Sequence, residues 1–289
     1  MIFFSSDPDF EIFYNEFLAQ GLKIDLLITE SPKKQGRRLE IKPNAAHEFA
    51  NEHGLKVRAF KNLEDEAAIE IKKHIGQDKL GFIFAYGKII PQNIINLFEN
   101  GILNIHFSLL PEYPGASPIQ QALLEDRRET GYTVFEITED LDRGLLLSQE
   151  KIKILPEDDF DSLRDRVIAK ATKDIPQLIK QYLNKEIELT RMPQLPTKFT
   201  RRLSKKDGEL SNKDNAKTAY NKIRAFSRWP KTYFFIDGKR IVVHRAKITG
   251  GKLEITHLQV EGKNVVNFEE FKNGYQNLLT KMPHFVKIN

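Results

Sequence analysis

The sequence contains no cysteine. This absence excludes disulfide scaffolds, iron–sulfur clusters, zinc sites with Cys ligands and thiol nucleophiles. Long apolar runs are also missing, because the longest, at 80–87, is far shorter than the roughly twenty residues of a membrane span. The N-terminus lacks a basic segment and carries acids at Asp7, Asp9 and Glu11, so we expect no signal peptide. These absences predict a soluble, cytoplasmic protein.

Several common catalytic motifs are absent as well. No G-x-G occurs, which removes the dinucleotide fingerprint, and there is no phosphate-binding G-x-x-x-x-G-K-[ST] loop. The G-x-S-x-G nucleophile elbow is also missing. His47-Glu48 begins like a zinc-protease motif, but the next histidine is His53, which does not share a helical face with His47. We therefore expect no metal site.

Charge is distributed unevenly along the 289 residues. Residues 201–289 contain 19 Lys and Arg against 8 Asp and Glu, a net charge of +11, whereas residues 1–200 carry −6. A basic segment of this length behind an acidic body indicates a polyanion such as nucleic acid, or an anionic membrane surface. Compositional drift is the alternative, although drift does not explain the change of sign.

Short apolar runs alternate with helical patterns over residues 1–186, which we interpret as one domain. Strands are predicted at 2–4, 24–28, 57–60, 80–85, 102–106, 133–137 and 145–154. Helices are predicted at 10–18, 44–53, 65–75, 93–98, 118–124 and 160–183, the last kinked or interrupted at Pro176. The alternation predicts a doubly wound, mostly parallel α/β sheet.

The pattern changes after residue 186. Residues 187–203 are interpreted as a linker, and a helix at 216–226 precedes four strand-like runs at 233–236, 241–248, 253–260 and 265–268. Asp237-Gly238 lies between two of these runs and is a strong hairpin signal. Residues 204–289 are therefore predicted to form a small OB-like β-barrel.

Asn104 and His106 are the first candidates for chemistry. They stand two residues apart on a predicted strand, so both side chains leave the same face. The strand runs into a Pro- and Gly-rich turn, and ligands of open α/β sheets bind at such carboxyl ends. An amide donor beside an imidazole suits a developing oxyanion and proton transfer. A hydrogen-bonded histidine with an asparagine turn residue is the structural alternative.

Asp142 is the candidate partner of that imidazole. It lies in an acidic turn at residues 137–144, just before Gly144. A carboxylate beside His106 would raise the pKa of the imidazole and fix its orientation. A solvated aspartate, one of several acids in this turn, is the alternative.

These residues also resemble a known family. The pattern consists of Asn104-x-His106-x-Ser108-Leu109-Leu110-Pro111, Tyr113-x-Gly115-Ala116-x-Pro118-Ile119, Glu129-Thr130-Gly131-x-Thr133 and Leu141-Asp142-x-Gly144. In this order the segments resemble the signature of folate-dependent formyltransferases. Matches near Pro8-Asp9-Phe10, Tyr86-Gly87 and Trp229-Pro230 extend the resemblance over nearly the whole chain.

The resemblance implies a fold, a co-substrate and a site. The domain over 1–186 would be a formyltransferase-like Rossmann-type domain that uses 10-formyltetrahydrofolate and no metal. The catalytic Asn, His and Asp of the family correspond to Asn104, His106 and Asp142. Its folate-binding segments correspond to Tyr86, Gly87, Ile89, Ser108, Leu109, Leu110 and Pro111.

Within the superfamily the chain is similar to members that formylate methionyl initiator tRNA for translation initiation. That similarity implies initiator methionyl-tRNA as the partner of a monomer, with domain 204–289 binding tRNA. The basic insertion that such members place against the tRNA acceptor end corresponds to Lys33, Lys34, Arg37 and Arg38. An ordinary solvated loop is the alternative for these four residues.

Two other functions stay open at this point. A formyltransferase acting on an amino-sugar nucleotide would share Asn104, His106 and Asp142, so these residues do not discriminate between substrates. The second alternative is a non-catalytic RNA-binding protein that keeps an enzyme fold without its activity. The intact catalytic residues disfavour it.

Overall fold

The computed structural model describes residues 1–35, 40–138, 144–193, 198–211, 213–284 and 286. The chain divides into two compact units. Unit 1 comprises Met1–Pro114, Gly131–Lys151 and Val167–Thr197, and unit 2 comprises Gly115–Thr130, Ile152–Arg166 and Lys198–Asn289. No helix in these described ranges is long and apolar enough to cross a membrane.

The first ten strands belong to a large sheet and a small hairpin. They are β1 (Ile2–Phe4), β2 (Leu26–Glu30), β3 (Lys33–Gln35), β4 (Glu40–Lys42), β5 (Val57–Phe60), β6 (Gly81–Ile83), β7 (Ile102–His106), β8 (Glu129–Glu136), β9 (Leu145–Lys153) and β10 (Thr190–Arg191). The large sheet has the order β10-β9-β8-β7-β6-β1-β2-β5. Its strands β7, β6, β1, β2 and β5 are parallel neighbours, while β8 is antiparallel to β7.

Helices cover both faces of this sheet, as predicted for a doubly wound fold. The helices that accompany it are α1 (Phe10–Ala19), α2 (Ala45–Glu52), α3 (Asp65–His74), α4 (Gln92–Ile95) and α6 (Phe160–Leu183), whereas α5 (Pro118–Leu124) belongs to unit 2. The ring of Phe3 packs against Phe10 and Phe17 of α1, with centroids 5.0 and 5.8 Å away. Phe4 points to the opposite face, into a buried cluster that includes side chains of α3 and α4. This two-sided burial explains why the strands are continuous apolar runs.

Helix α6 corrects part of one prediction, because Pro176 does not interrupt it. A proline inside a helix removes one backbone hydrogen bond and costs about 3 kcal/mol or more. The apolar stripe of α6 is fully or almost fully buried and offsets this cost; it comprises Leu163, Val167, Ile168, Ala171, Ile175 and Ile179.

Unit 2 contains a four-stranded antiparallel sheet in the order β11-β12-β13-β14. Its elements are α7 (Ala216–Ala225), β11 (Thr232–Ile236), β12 (Lys239–Thr249), β13 (Lys252–Val260), β14 (Val265–Asn267), α8 (Phe268–Gly274) and α9 (Gln276–Leu279). The predicted turn joins β11 to β12, with positive φ angles at Asp237 (50°) and Gly238 (76°). Both angles suit a type I′ hairpin. The antiparallel sheet agrees with the small barrel-like domain expected from the sequence.

Several boundaries differ from the predictions. No strand was predicted between residues 29 and 56, but Lys33–Gln35 pairs as a strand with Glu40–Lys42. Helices α8 and α9 were not predicted, although Phe268, Phe271, Tyr275 and Leu278 recur at helical spacing; the pattern was missed because it is short and contains Gly274. Among the described residues, strand β6 is shorter than the apolar run at 80–85, because the chain turns at Ala85 with a φ of 48°.

Candidate active site

The parallel order of the central strands brings their carboxyl ends to one edge of the sheet. Strand β7 lies between β6 and β8, with Asn104 opposite Ile83 and His106 opposite Thr133. The segments that follow β6 and β7 therefore start side by side. This is the edge at which open α/β sheets bind ligands.

Asn104 and His106 differ in the hydrogen bonds that their side chains make. Asn104 is half-buried, and its carboxamide has no hydrogen-bond partner in the described part of the chain. His106 is 8% exposed, and its Nε2 lies 2.9 Å from the backbone oxygen of Tyr113. An amide without a protein partner beside a buried imidazole is available to a ligand.

The contact with Tyr113 defines the tautomer of His106. A carbonyl oxygen only accepts hydrogen bonds, so Nε2 must carry the proton in this contact. Nδ1 is then the nitrogen that gains a proton when the ring becomes charged. Tyr113 holds a positive φ of 56°, which turns its carbonyl within the tight loop after β7.

That loop is held by polar side chains of the neighbouring strands. Thr133 Oγ1 donates to the Ser108 carbonyl at 2.7 Å and accepts from the Leu110 amide at 3.0 Å. Gln149 Nε2 donates to the Leu110 carbonyl at 2.5 Å and to Thr133 Oγ1 at 3.0 Å. Ser108 Oγ donates to the Glu112 carbonyl at 2.6 Å. The predicted folate segment, Ser108, Leu109, Leu110 and Pro111, is therefore fixed by a hydrogen-bond network.

Sequence reasoning missed the part that Thr133 and Gln149 play here. Thr133 was part of the family pattern, but no role was assigned to it. Gln149 gave no signal beyond being a polar residue in a strand. Gly131 has a clear reason, since a Cβ there would lie 1.8 Å from the Glu150 carbonyl oxygen. The close approach of β9 leaves no room for a side chain at this point.

The segment after β6 combines exposed apolar surface with a buried hydroxyl. Ile89 is 79% exposed, whereas Tyr86 is 7% exposed and packs on Phe4 with a centroid distance of 5.7 Å. The Tyr86 hydroxyl is buried without a hydrogen-bond partner among the residues described. Burial, with a smaller contribution from the Glu30 carboxylate, raises the pKa of Tyr86, so its hydroxyl stays protonated. Gly87 precedes the exposed part of this loop.

Of the four predicted tRNA-binding residues, two lie within the described part of the chain. Lys33 and Lys34 lie on strand β3, and the Lys33 ammonium is 2.7 Å from the Glu30 carboxylate. Lys34 is exposed and has no ion-pair partner among the described residues. Arg37 and Arg38 lie outside the described residues, as does Asp142. Of the predicted catalytic residues, Asn104 and His106 therefore lie together on β7, and the role of Asp142 stays a prediction.

The chemistry of this edge is that of polar donors, not of metal ligands. Within the described ranges, no group of three His, Asp or Glu side chains is placed to hold a metal ion. An unpartnered amide, a buried imidazole and an apolar loop on the adjacent strand suit a neutral carbonyl that becomes negatively charged.

Comparison with known proteins identifies the family. The formyl transferase model matches residues 1–179, and the formyl transferase C-terminal domain model matches residues 202–252. A methionyl-tRNA formyltransferase of Thermus thermophilus is 33% identical over 238 residues, covering 82% of this chain and 76% of that protein. The one from Caldicellulosiruptor saccharolyticus is 30% identical over 306 residues, covering 95% and 97%.

Solved structures agree on the fold. A sugar N-formyltransferase from Shewanella sp FDAARGOS_354 superposes with a TM-score of 0.66 at 17% identity, covering 86% of this chain and 98% of that one. At this identity the likeness shows the fold alone. The sequence matches and the shared fold together show that the chain belongs to the formyl transferase family, among relatives that include methionyl-tRNA formyltransferases.

Proposed function

We propose that this chain transfers the formyl group of 10-formyltetrahydrofolate to the α-amino group of methionine on initiator tRNA. The family matches and the methionyl-tRNA formyltransferases among its relatives support this reaction. The observation that carries it is the unpartnered Asn104 amide beside His106 at the carboxyl edge of the parallel sheet. This pair can stabilise charge on a carbonyl oxygen without a metal.

The residues of the chain act on the carbonyl that the amine attacks. As the new C–N bond forms, negative charge develops on the formyl oxygen, and the Asn104 amide donates a hydrogen bond to it. Protonated His106 stabilises the same oxygen through its Nδ1–H, while its Nε2–H stays on the Tyr113 carbonyl. Asp142 supports the imidazolium and relays the proton released by the amine. Collapse then breaks the bond from the formyl carbon to the folate nitrogen, which is reprotonated.

The residues at this edge fit the proposed formyl donor. When bound, 10-formyltetrahydrofolate supplies the activated formyl group. The exposed Ile89 side chain offers apolar surface to a flat ring, and the buried Tyr86 hydroxyl is a donor without a protein partner in the described chain. The hydrogen-bonded segment of Ser108, Leu109, Leu110 and Pro111, with Gly87, offers rigid backbone groups. We assign these residues to folate binding.

We assign tRNA binding to two basic elements. One is the basic segment with Lys33, Lys34, Arg37 and Arg38, and the other is the segment 201–289 with its net charge of +11. Phosphates of an acceptor stem would be bound by such cations. We retain 1–186 as catalytic domain, 187–203 as linker and 204–289 as tRNA-binding domain, in a cytoplasmic monomer.

The test compares two acceptors at the same enzyme concentration. Purified protein is incubated with 10-formyltetrahydrofolate and either methionyl initiator tRNA or an amino-sugar nucleotide, and formylated product is measured. We expect formylation of the tRNA alone. Formylation of the sugar nucleotide alone would replace the proposed substrate, and no transfer to either would contradict the assignment.

A further inference from the structure

The four-stranded sheet of unit 2 has two unlike faces. One face is buried against α7, α8 and α9 through Phe234 and Ile236 of β11 and Ile241 and Val243 of β12. Alternation along the strands sends the intervening side chains to the opposite, outer face. That outer face presents Tyr233, Phe235, Arg240, Val242, His244 and Gln259.

The outer face carries two aromatic rings, of which only Phe235 is exposed. Tyr233 is 7% exposed, and its hydroxyl donates to the Lys205 carbonyl at 3.2 Å. Phe235 is 53% exposed, although it belongs to a regular strand at the sheet edge. Its ring meets Tyr233 edge-to-face, with centroids 5.6 Å apart at 84°. An exposed phenylalanine gains nothing from burial in the folded protein, so its surface is free to contact another molecule.

Arg240 gives this surface charge and a fixed orientation. Its guanidinium carbon lies 3.8 Å from the centroid of Tyr233, and Phe235 is its cross-strand neighbour. No carboxylate pairs with the Arg240 side chain, and its Nε has no hydrogen-bond partner, over the described residues. Because this Nε is itself buried, the terminal amino groups of the guanidinium are the donors that suit a phosphate or the edge of a nucleobase.

The rest of the face is polar or cationic. His244 Nε2 lies 3.1 Å from Gln259 Oε1, and Gln259 is the cross-strand partner of Val242, which in turn pairs with Tyr233. Lys231 and His257 are close enough to His244 to contribute to lowering its pKa. An exposed aromatic ring next to an arginine on a sheet face matches the way proteins bind single-stranded nucleic acid, by stacking bases on rings.

We propose that the outer face of this sheet binds an unpaired RNA segment, with a base stacked on Phe235 and Arg240 bound to its phosphate or edge. In the proposed function that RNA is the tRNA substrate, and the identity of the RNA rests on that function. The net charge of +11 over residues 201–289 supplies the complementary field.

The experiment measures binding of RNA to the full chain without any formyl transfer. The probe is a labelled RNA of about eight unpaired nucleotides, a length typical of single-strand sites, compared with a hairpin duplex of the same composition. Phe235→Ala should raise the Kd for the unpaired RNA about 5- to 100-fold, and Phe235→Trp should retain binding. The duplex should respond much less.

Two matched controls separate stacking from general effects. Ile248→Ala removes another exposed apolar side chain of the same sheet, 39% exposed, and should leave the Kd unchanged. Arg240→Lys keeps the charge but loses the planar contact, so it should weaken binding, whereas Lys252→Ala removes a charge at the far hairpin and should change little. Melting temperatures confirm that each variant is folded, and Arg240→Lys decides if Phe235→Ala does not fold.

The outcomes distinguish this proposal from the proposed function. A Kd that is unchanged in Phe235→Ala, or raised equally in Ile248→Ala, overturns the stacking face even if initiator tRNA is formylated. Loss of RNA binding in Phe235→Ala supports the face even if the transfer assay fails. In that case the formyl acceptor, and not the RNA-binding face, is wrong.

Discussion

The two sheets of this protein differ in what is unusual on them. In the large sheet both faces are buried, so the unusual residues are polar ones at a strand end, Asn104 and His106. In the four-stranded sheet one face is open, so the unusual residue is an exposed aromatic, Phe235. A polar side chain on a buried strand, or an apolar side chain exposed to water, costs free energy that packing in the folded protein does not offset. Polar departures indicate chemistry, and apolar departures on an open face indicate recognition.

His106→Ala gives the largest effect that follows from this comparison. Loss of a group in acid–base chemistry costs about 10²–10⁴-fold, so kcat should fall by at least a hundredfold. His53→Ala is the matched control, because that ring packs on Phe49 near the end of α2 and should leave kcat unchanged. A His106→Ala enzyme that is folded and retains more than about a tenth of its kcat would remove His106 from the reaction.

Thr133→Val tests the loop that sets the site. The substitution removes the hydrogen bonds of Thr133 Oγ1 to the Ser108 carbonyl, the Leu110 amide and Gln149. Leaving these groups without a partner should lower the free energy of unfolding by about 1–3 kcal/mol. Because small misplacements of catalytic groups cost up to about a hundredfold, kcat should fall at least severalfold. Thr172→Val is the control, since its equally buried hydroxyl donates only to a carbonyl within α6. Equal kinetics in the two variants would show that the network stabilises without positioning.

The basic segment should affect one substrate and not the other. Neutralising Lys33, Lys34, Arg37 and Arg38 should raise KM for charged tRNA about tenfold or more and flatten its salt dependence, because fewer counterions are released. Folate affinity should not change. Lys34→Ala should raise the KM for charged tRNA more than Lys33→Ala does, because the Lys33 ammonium is already paired with Glu30. If the quadruple variant keeps the tRNA KM and the salt dependence of the wild type, these four residues belong to an ordinary solvated loop and do not bind tRNA.

Local patterns predicted the strands and helices that one short segment can define. The helix predicted from residue 44 is present, and Asn44 is its N-cap, with a side chain that accepts from the His47 amide at 3.0 Å. The Asp237-Gly238 turn was predicted because both positions need positive φ. The sheet order was recoverable in outline, since parallel strands with helical connections allow few topologies.

Long-range contacts were not predictable from a single sequence. Gln149 reaches Leu110 across 39 residues, and its own segment gives no sign of a partner. The open face of the second sheet depends on which side α7, α8 and α9 cover, which alternation alone does not decide. Asn104 and His106 were found because two polar residues on a buried strand violate its pattern. Asp142 gave a weaker signal, because acidic turns are common.

The smallest effect comes from two half-buried histidines, one in each unit. Burial lowers the pKa of His47, which lies 3.3 Å from Thr29 Oγ1, against an opposing effect of Glu48. Burial also lowers the pKa of His244, helped by Lys231 and His257 and opposed by the bond to Gln259. In both cases the unfolded chain binds the proton more readily, so the free energy of unfolding decreases as pH falls through about 6.5.

His47→Gln and His244→Gln should each reduce this loss while keeping a side chain that can form hydrogen bonds. The free energy of unfolding is measured by urea titration at neutral pH and near pH 5, and each variant should show a smaller difference than the wild type. Both effects should be small, because each ring is only partly buried and solvent screens its charge. Since His47 bonds to the fully buried Thr29 whereas His244 lies on the outer face, we expect the larger change in His47→Gln. A larger change in His244→Gln would mean that the outer face is less open to water than the exposure of Phe235 indicates.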